Sequence, residues 1–207
     1  ANLHHLPDLI QNYFGDGSAL GVSLKYAYEP VLMGTAGGVK NNQHFLDSTF
    51  LVISGDALTD IDLTAFVKQH RANKALASIA LLPMASEEIG RFGVVKVDDE
   101  LRITGFQEKP RIEEAISNLV NTGIYVFEPE IFRYIPDNTF FDFGKELFPR
   151  LAEEGLPFYG YITNDYWCDV GTLEAYEKAK NDVQIGRAKL APVFKPEDRS
   201  SLEVVTY

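Results

Sequence analysis

An α/β fold, with a mixed and mostly parallel sheet flanked by helices, is what this sequence predicts, and three observations predict it. Phe50-Leu-Val-Ile-Ser54 is apolar and rich in β-formers, the pattern of a strand buried on both faces, and it stops at Gly55 before presenting Asp56. A second apolar run, residues 119–127, is interrupted by Asn121-Thr122-Gly123. Amphipathic stretches led by capping residues stand between and after such runs, as helices covering a sheet would.

The elements follow in order. Pro7 to Phe14 reads as a short helix, with Pro at its first turn, Leu6, Ile10 and Phe14 at four-residue spacing and Gly15 as its stop. Leu24, Tyr26 and Tyr28 alternate with polar or small residues, a strand of period two. A glycine-rich loop, Gly34-Thr35-Ala36-Gly37-Gly38, leads into a helix from Val39 to Phe45; glycines there permit close approach to a ligand. It lacks the Lys-Ser/Thr of a P-loop and the spacing of a dinucleotide fingerprint. Asp62 caps a helix with Leu63, Phe66, Val67 and His70 on one face, His70 as a boundary residue. A strand at 75–82 precedes a hairpin, 92–97 with 101–107, that ends at Glu108-Lys109-Pro110, where Pro110 holds Lys109 extended.

Polar Asn121-Thr122-Gly123 inside an apolar strand is costly unless its groups find partners, and a strand glycine marks close approach by a ligand. Pro129 to Ile135 is a short helix, and Asp142 caps another that runs to Glu154 with a kink or break at Pro149. Strands at 158–163 and 166–170 follow. Trp167-Cys168-Asp169-Val170-Gly171-Thr172 then repeats the opening theme, a strand, a carboxylate, a glycine and a helix capped by Thr172 with Leu173, Tyr176, Ala179 and Val183 inward. Residues 1–190 form the core on this reading, and 191–207 a polar linker with the start of a further segment.

Composition narrows the function. A formal charge of −11 with no basic stripe argues against a nucleic-acid partner. An acidic protein binds phosphates most readily through a divalent cation held between carboxylates. Ligands of open α/β sheets gather beyond the carboxyl ends of strands, so Asp56 and Asp169 are candidates to share one hard cation, although an aspartate that only caps the next turn fits the position of Asp56 as well. The single cysteine, Cys168, excludes an internal disulfide and suits a reducing compartment. No run approaches a membrane span, and residues 1–10 lack a signal-peptide layout, so the cytoplasm is the expected location.

Six motifs in one order carry a resemblance over residues 1 to 185: Gly34-Thr-Ala-Gly37, Ser54-Gly-Asp56, Phe92-Gly-Val-Val95, Glu108-Lys-Pro110, Asn121-Thr-Gly123 and Trp167-Cys-Asp-Val-Gly-Thr172. Together they resemble the sugar nucleotidyltransferases, and among these the mannose-1-phosphate guanylyltransferases most. The resemblance implies a Rossmann-like nucleotidyltransferase fold and the joining of mannose 1-phosphate to GTP with release of pyrophosphate. It implies Mg2+ on Asp56 and Asp169, sugar hydroxyls on Gly93, Glu108 and Asn121 within the Asn121-Thr122-Gly123 segment, and the sugar phosphate on Lys109. The base would lie by Gly34, Thr35, Ala36 and Gly37, with Glu29 near it. The family's opening strand and Gly-x-Gly-Thr-Arg loop, which grip the triphosphate, have no match here, so the chain is expected to be an N-terminally incomplete, weakly active piece. The strand left unpaired would favour a homo-oligomer. Two alternatives stand beside this reading: a non-catalytic sugar-nucleotide-binding subunit, and a glycosyltransferase holding its metal through Asp60-Ile61-Asp62.

Overall fold

The computed structural model describes residues 1–189, so the stretch read above as linker and further segment lies outside the described residues. In chain order the elements are β1 (Asn2–Leu3), α1 (Pro7–Phe14), β2 (Ala27–Tyr28), α2 (Gly34–Lys40), β3 (Phe50–Ile53), β4 (Ala57–Thr59), α3 (Leu63–Ala72), β5 (Ala77–Pro83), β6 (Gly93–Val97), β7 (Ile103–Glu108), β8 (Leu119–Phe127), α4 (Phe148–Glu153), β9 (Phe158–Ile162), β10 (Trp167–Asp169) and α5 (Leu173–Gln184).

The central sheet is built on β8. One of its edges pairs along nearly its whole length with β5, from Ala77↔Phe127 to Pro83↔Leu119. Its other edge is divided: β6 takes Leu119 and Val120, and β3 takes Ile124 to Phe127. Asn121, Thr122 and Gly123 fall between these partners, which is what opens the sheet where the polar interruption lies. The mixed sheet flanked by helices is as expected, but strand direction is not mostly parallel. Within this sheet only β5 and β9 run parallel, because β8 and the β6–β7 hairpin are antiparallel to their neighbours.

Each face of the sheet has its own core. On one, Phe127, Phe143, Phe148 and Phe158 are buried with Tyr125, and Phe143 stacks on Phe148 at 5.5 Å and 10° between planes. Such pairs contribute about 0.5–1.5 kcal/mol beyond area burial, and they hold the turn at Phe143–Leu147 against the sheet. That turn is π-helical, not the start of a regular helix, and becomes α4 at Phe148. Pro149 has no N–H to return to the preceding turn. The other core joins Ile61 and Phe66 to Ala80, Ile124 and Val126, so α3 covers that face.

Several local expectations change in three dimensions. β3 is not buried on both faces: Leu51 and Ile53 are 38% and 43% exposed, while Phe50 and Val52, on the opposite face, pack into the core; β3 has β8 on one edge and no strand on the other among the described residues. The glycine-rich stretch is itself helical, over Gly34–Lys40; the chain enters it through a left-handed Gly34 (φ 74°), and the first-turn amides of Ala36 and Gly37 both donate to the Phe141 carbonyl at 3.0 Å. The strand at Leu24–Tyr28 shrinks to β2, paired in parallel with β1. His70 is a core residue, 1% exposed, with its ring nitrogens 2.8 Å from Ser78 Oγ and 3.2 Å from Glu128 Oε1. The stripe on α5 does not face inward: Leu173, Tyr176 and Val183 are exposed and only Ala179 is covered.

Candidate active site

The carboxylates of Asp56 and Asp169 lie at one site. β4 and β10 form a separate antiparallel pair in which Asp169 stands opposite Ala57, and the Val170 amide donates to the Asp56 carbonyl at 2.9 Å. A methyl group placed on Gly171 would lie 3.1 Å from Asp169 Oδ1 and 3.8 Å from Asp56 Oδ2, so both side chains reach the same spot. Asp169 Oδ1 accepts from the Gly171 amide at 3.0 Å, while Asp56 makes no described side-chain hydrogen bond. Two carboxylates with no nitrogen or thiolate beside them suit a hard cation. Cys168 alternates to the opposite face of β10 and is buried. No cluster of three His, Cys, Asp or Glu side chains with metal-binding geometry occurs among the described residues, so remaining ligands would come from water and phosphate. The residues present therefore fit Mg2+.

Both aspartates open onto a pocket of about 210 Å³ in the gap along β8. Gly93, Glu108, Lys109, Asn121, Thr122 and Gly123 line it as well, which brings every residue expected around the sugar and the metal into one place. The reasons are local. Gly93 pairs with Glu108 across the hairpin, and a side chain there would come 2.6 Å from the Phe106 ring and 3.2 Å from Glu108 Oε2. Gly123 has φ 76°, and a methyl group on it would sit 2.6 Å from Ser54 Oγ. Asn121 Oδ1 accepts from the Gly123 amide at 3.0 Å, and its Nδ2 donates to the Tyr125 hydroxyl at 3.1 Å. The Thr122 hydroxyl is committed to the Ala80 carbonyl inside the core.

Lys109 is not extended. It takes φ 47°, a left-handed conformation unusual for a lysine and doubly so before proline. Backbone strain of this kind costs on the order of 1–3 kcal/mol and gathers at functional positions. Burial raises the pKa of Glu108, against the pull of Lys109 and Lys145, with Asp142 adding to the rise. Burial likewise pushes the Tyr125 hydroxyl far up, so it stays protonated.

A larger cleft of about 1130 Å³ adjoins the pocket and shares Ser54 with it. Glu29, Gly34 and Thr35 line this cleft, whereas Ala36 and Gly37 do not; their amides turn to the Phe141 carbonyl. Thr35 Oγ1 donates to Asp142 Oδ2 at 2.9 Å and accepts from the Phe143 amide at 2.8 Å, which ties the glycine helix to the aromatic turn.

Sequence reasoning missed four residues here. Asp142 was read only as a cap, and it does accept from the Gly144 and Lys145 amides, but its carboxylate also borders the cleft. Tyr125 lines the cleft behind Asn121. Trp167 lines the pocket, and its buried indole N–H has no partner among the described residues. Arg91 lines the same pocket. The Asp-x-Asp reading fails. Asp60 accepts from the amides of Tyr166 and Lys189, each at 2.7 Å, Asp62 accepts from the Ala65 amide as cap of α3, and neither borders the pocket.

Comparison with known proteins gives the family. The chain is 43% identical over 190 residues to a UTP–glucose-1-phosphate uridylyltransferase from Synechocystis sp., covering 86% of this chain and 49% of that protein. It is 35% identical over 184 residues to a mannose-1-phosphate guanylyltransferase from Mycobacterium tuberculosis, covering 88% and 50%. The chain thus spans about half the length of these curated relatives. A crystal structure of UDP-glucose pyrophosphorylase complexed with UDP-glucose superposes with a TM-score of 0.74 at 20% identity, covering 88% of this chain and 78% of that one, a likeness of fold. The nucleotidyl transferase family model matches residues 1–185, and on that match the chain belongs to this family, among the sugar-1-phosphate nucleotidyltransferases.

Proposed function

We propose that the chain carries the sugar-phosphate and metal site of an enzyme that joins a hexose 1-phosphate to a nucleoside triphosphate and releases pyrophosphate. The observation that supports it is the convergence of Asp56 and Asp169 with Gly93, Glu108, Lys109 and Asn121 in one pocket, next to a cleft bordered by Glu29, Gly34 and Thr35. Asp56 and Asp169 would hold Mg2+, which when bound neutralises charge on the reacting phosphates. Lys109 would orient the sugar phosphate so that its oxygen attacks the α-phosphorus in line with the departing pyrophosphate. Glu108 would accept from sugar hydroxyls, and the Gly93 and Asn121 backbone would leave room for the ring. Catalysis of this type is mainly positioning and charge neutralisation.

For the base and sugar, the reading is GTP and mannose 1-phosphate. Glu29 lines the cleft with its Oε1 accepting from Asn2 Nδ2 at 3.0 Å, and its carboxylate would favour guanine, whose ring edge presents adjacent N–H donors, over uracil, whose one N–H stands between two carbonyls. A second reading, UTP and glucose 1-phosphate, is favoured by the 43% identical relative. The setting would be cytoplasmic. The free edge of β3, with Leu51 and Ile53 exposed, would draw in another strand or a second copy.

A pyrophosphate-release assay with Mg2+ and each pairing of GTP, UTP and ATP with mannose or glucose 1-phosphate, run beside calorimetry, tests the reading. The expected result is Mg2+-dependent binding of a hexose 1-phosphate, with GTP and mannose 1-phosphate preferred. Absence of sugar-phosphate binding refutes the site.

A further inference from the structure

We propose that Arg91 is a second cation for the phosphate of the sugar 1-phosphate, standing beside Lys109 and setting the preference of the pocket for phosphorylated over neutral sugars. The inference rests on the reading of the pocket given above.

Arg91 ends the short 3-10 turn Ser86–Arg91, two residues before β6 begins. Gly93 pairs with Glu108, and the Lys109 amide donates to the Phe92 carbonyl at 3.2 Å, so Arg91 and Lys109 lie on adjoining backbone tracks at one rim of the pocket. The tracks touch, since a methyl group on Gly90 would come 3.2 Å from the Pro110 carbonyl. The Arg91 guanidinium stands over the Phe92 ring at 5.4 Å, and Phe92 meets Trp167 edge-on at 5.3 Å. That stack links Arg91 to β10, two residues from Asp169.

Among the described residues neither Arg91 nor Lys109 has an ion-pair partner within reach. Arg111, Arg150 and Arg187 do, on Glu114, Glu154 and Asp182, and the Arg102 guanidinium donates to the Leu156 carbonyl; Arg71 and Arg133 also form no ion pair among the described residues, but of these three only Arg91 borders the pocket. Both Arg91 and Lys109 line a pocket whose acids are Asp56, Glu108 and Asp169, so an anion entering it needs these cations to offset three carboxylates. A charge count shows why both are needed. One divalent cation cancels Asp56 and Asp169, and Lys109 cancels Glu108, which leaves the pocket neutral toward an incoming phosphate dianion. Arg91 brings the pocket to one net positive charge, which offsets half of the dianion, and its planar fork matches phosphate oxygens. Because it stands at a solvent-exposed rim, its effect is on the order of tenfold and is screened by salt.

The test is equilibrium titration of the full chain, with Mg2+ present, by glucose 1-phosphate, mannose 1-phosphate, inorganic phosphate, glucose, UTP and GTP, comparing the parent with Arg91→Ala and Arg91→Lys. Arg91→Ala is expected to weaken both sugar 1-phosphates and inorganic phosphate about tenfold at low salt and less at high salt, with UTP and GTP unchanged and most of the loss restored in Arg91→Lys. Equal sugar-phosphate affinity in Arg91→Ala and the parent overturns this role alone. An equal loss for UTP and GTP assigns Arg91 to the nucleotide phosphates and overturns it as well. A parent that binds no phosphorylated sugar overturns both this role and the reading of the pocket.

Discussion

Gly144→Ala separates the chemistry of this pocket from its stability. A methyl group on Gly144 overlaps Glu108 Oε2 and lies 3.5 Å from Asp142 Oδ1, so the Glu108 side chain must swing aside to admit it. The backbone has no objection, because Gly144 does not have positive φ and sits within a helical turn, where alanine is favoured over glycine by about 0.5–1 kcal/mol. A hydrogen bond from a sugar hydroxyl to a carboxylate is worth about 1.5–3 kcal/mol, and the half-exposed position of Glu108 puts it at the lower end. The variant should therefore melt at or slightly above the parent temperature and bind mannose or glucose 1-phosphate roughly tenfold more weakly. Calorimetric titration beside a thermal melt reads both quantities. Glu108→Gln should give a similar loss, and the double variant little more than either alone, since both act on one contact. Undiminished sugar-phosphate affinity in Gly144→Ala, or full additivity with Glu108→Gln, refutes the reasoning.

Further outcomes follow from the same geometry. Asp56→Asn and Asp169→Asn should each abolish the upward shift of the melting temperature that Mg2+ produces in the parent, measured by thermal melts with and without the metal; a shift retained in both variants removes the metal site. Leu51→Lys places a charge on the free edge of β3 and should lower any self-association seen by light scattering, whereas a parent that is monomeric at all concentrations rules out pairing of copies there. Burial lowers the pKa of His70, opposed by Glu128, so the unfolded chain binds the proton more tightly than the folded one. The stability this group contributes is then intact above the ordinary histidine value of 6.5 and falls as pH drops below it. Urea melts at pH 7.5 and 5.5 should show a smaller loss in His70→Gln than in the parent, and equal losses would refute it.

What could be read from the chain alone was what short-range interactions decide. Asp62 accepts from the Ala65 amide and Thr172 from the Ala175 amide, three residues on in each case, and both helices start where those caps put them. The hairpin of β6 and β7 follows from two alternating runs around an acidic turn. Glu108 and Lys109 come out at its end, and the motif order carried the family. Burial was less legible, because exposure of Leu51, Ile53 and Leu173 depends on which partner covers a face and not on the face itself.

Sequence by itself determined the class of fold, the helix starts, the hairpin and the two aspartates, since each rests on residues close together in the chain. Tertiary structure alone decided that those aspartates converge, that the gap along β8 becomes the pocket, that Arg91 and Trp167 join it, and that Tyr125 and Asp142 border the adjoining cleft. The physical reason is separation: Thr35 meets Asp142 across 107 positions, and β4 meets β10 in the pairing of Ala57 with Asp169. No local pattern of hydropathy or capping carries information over such distances; only the closing of the sheet does.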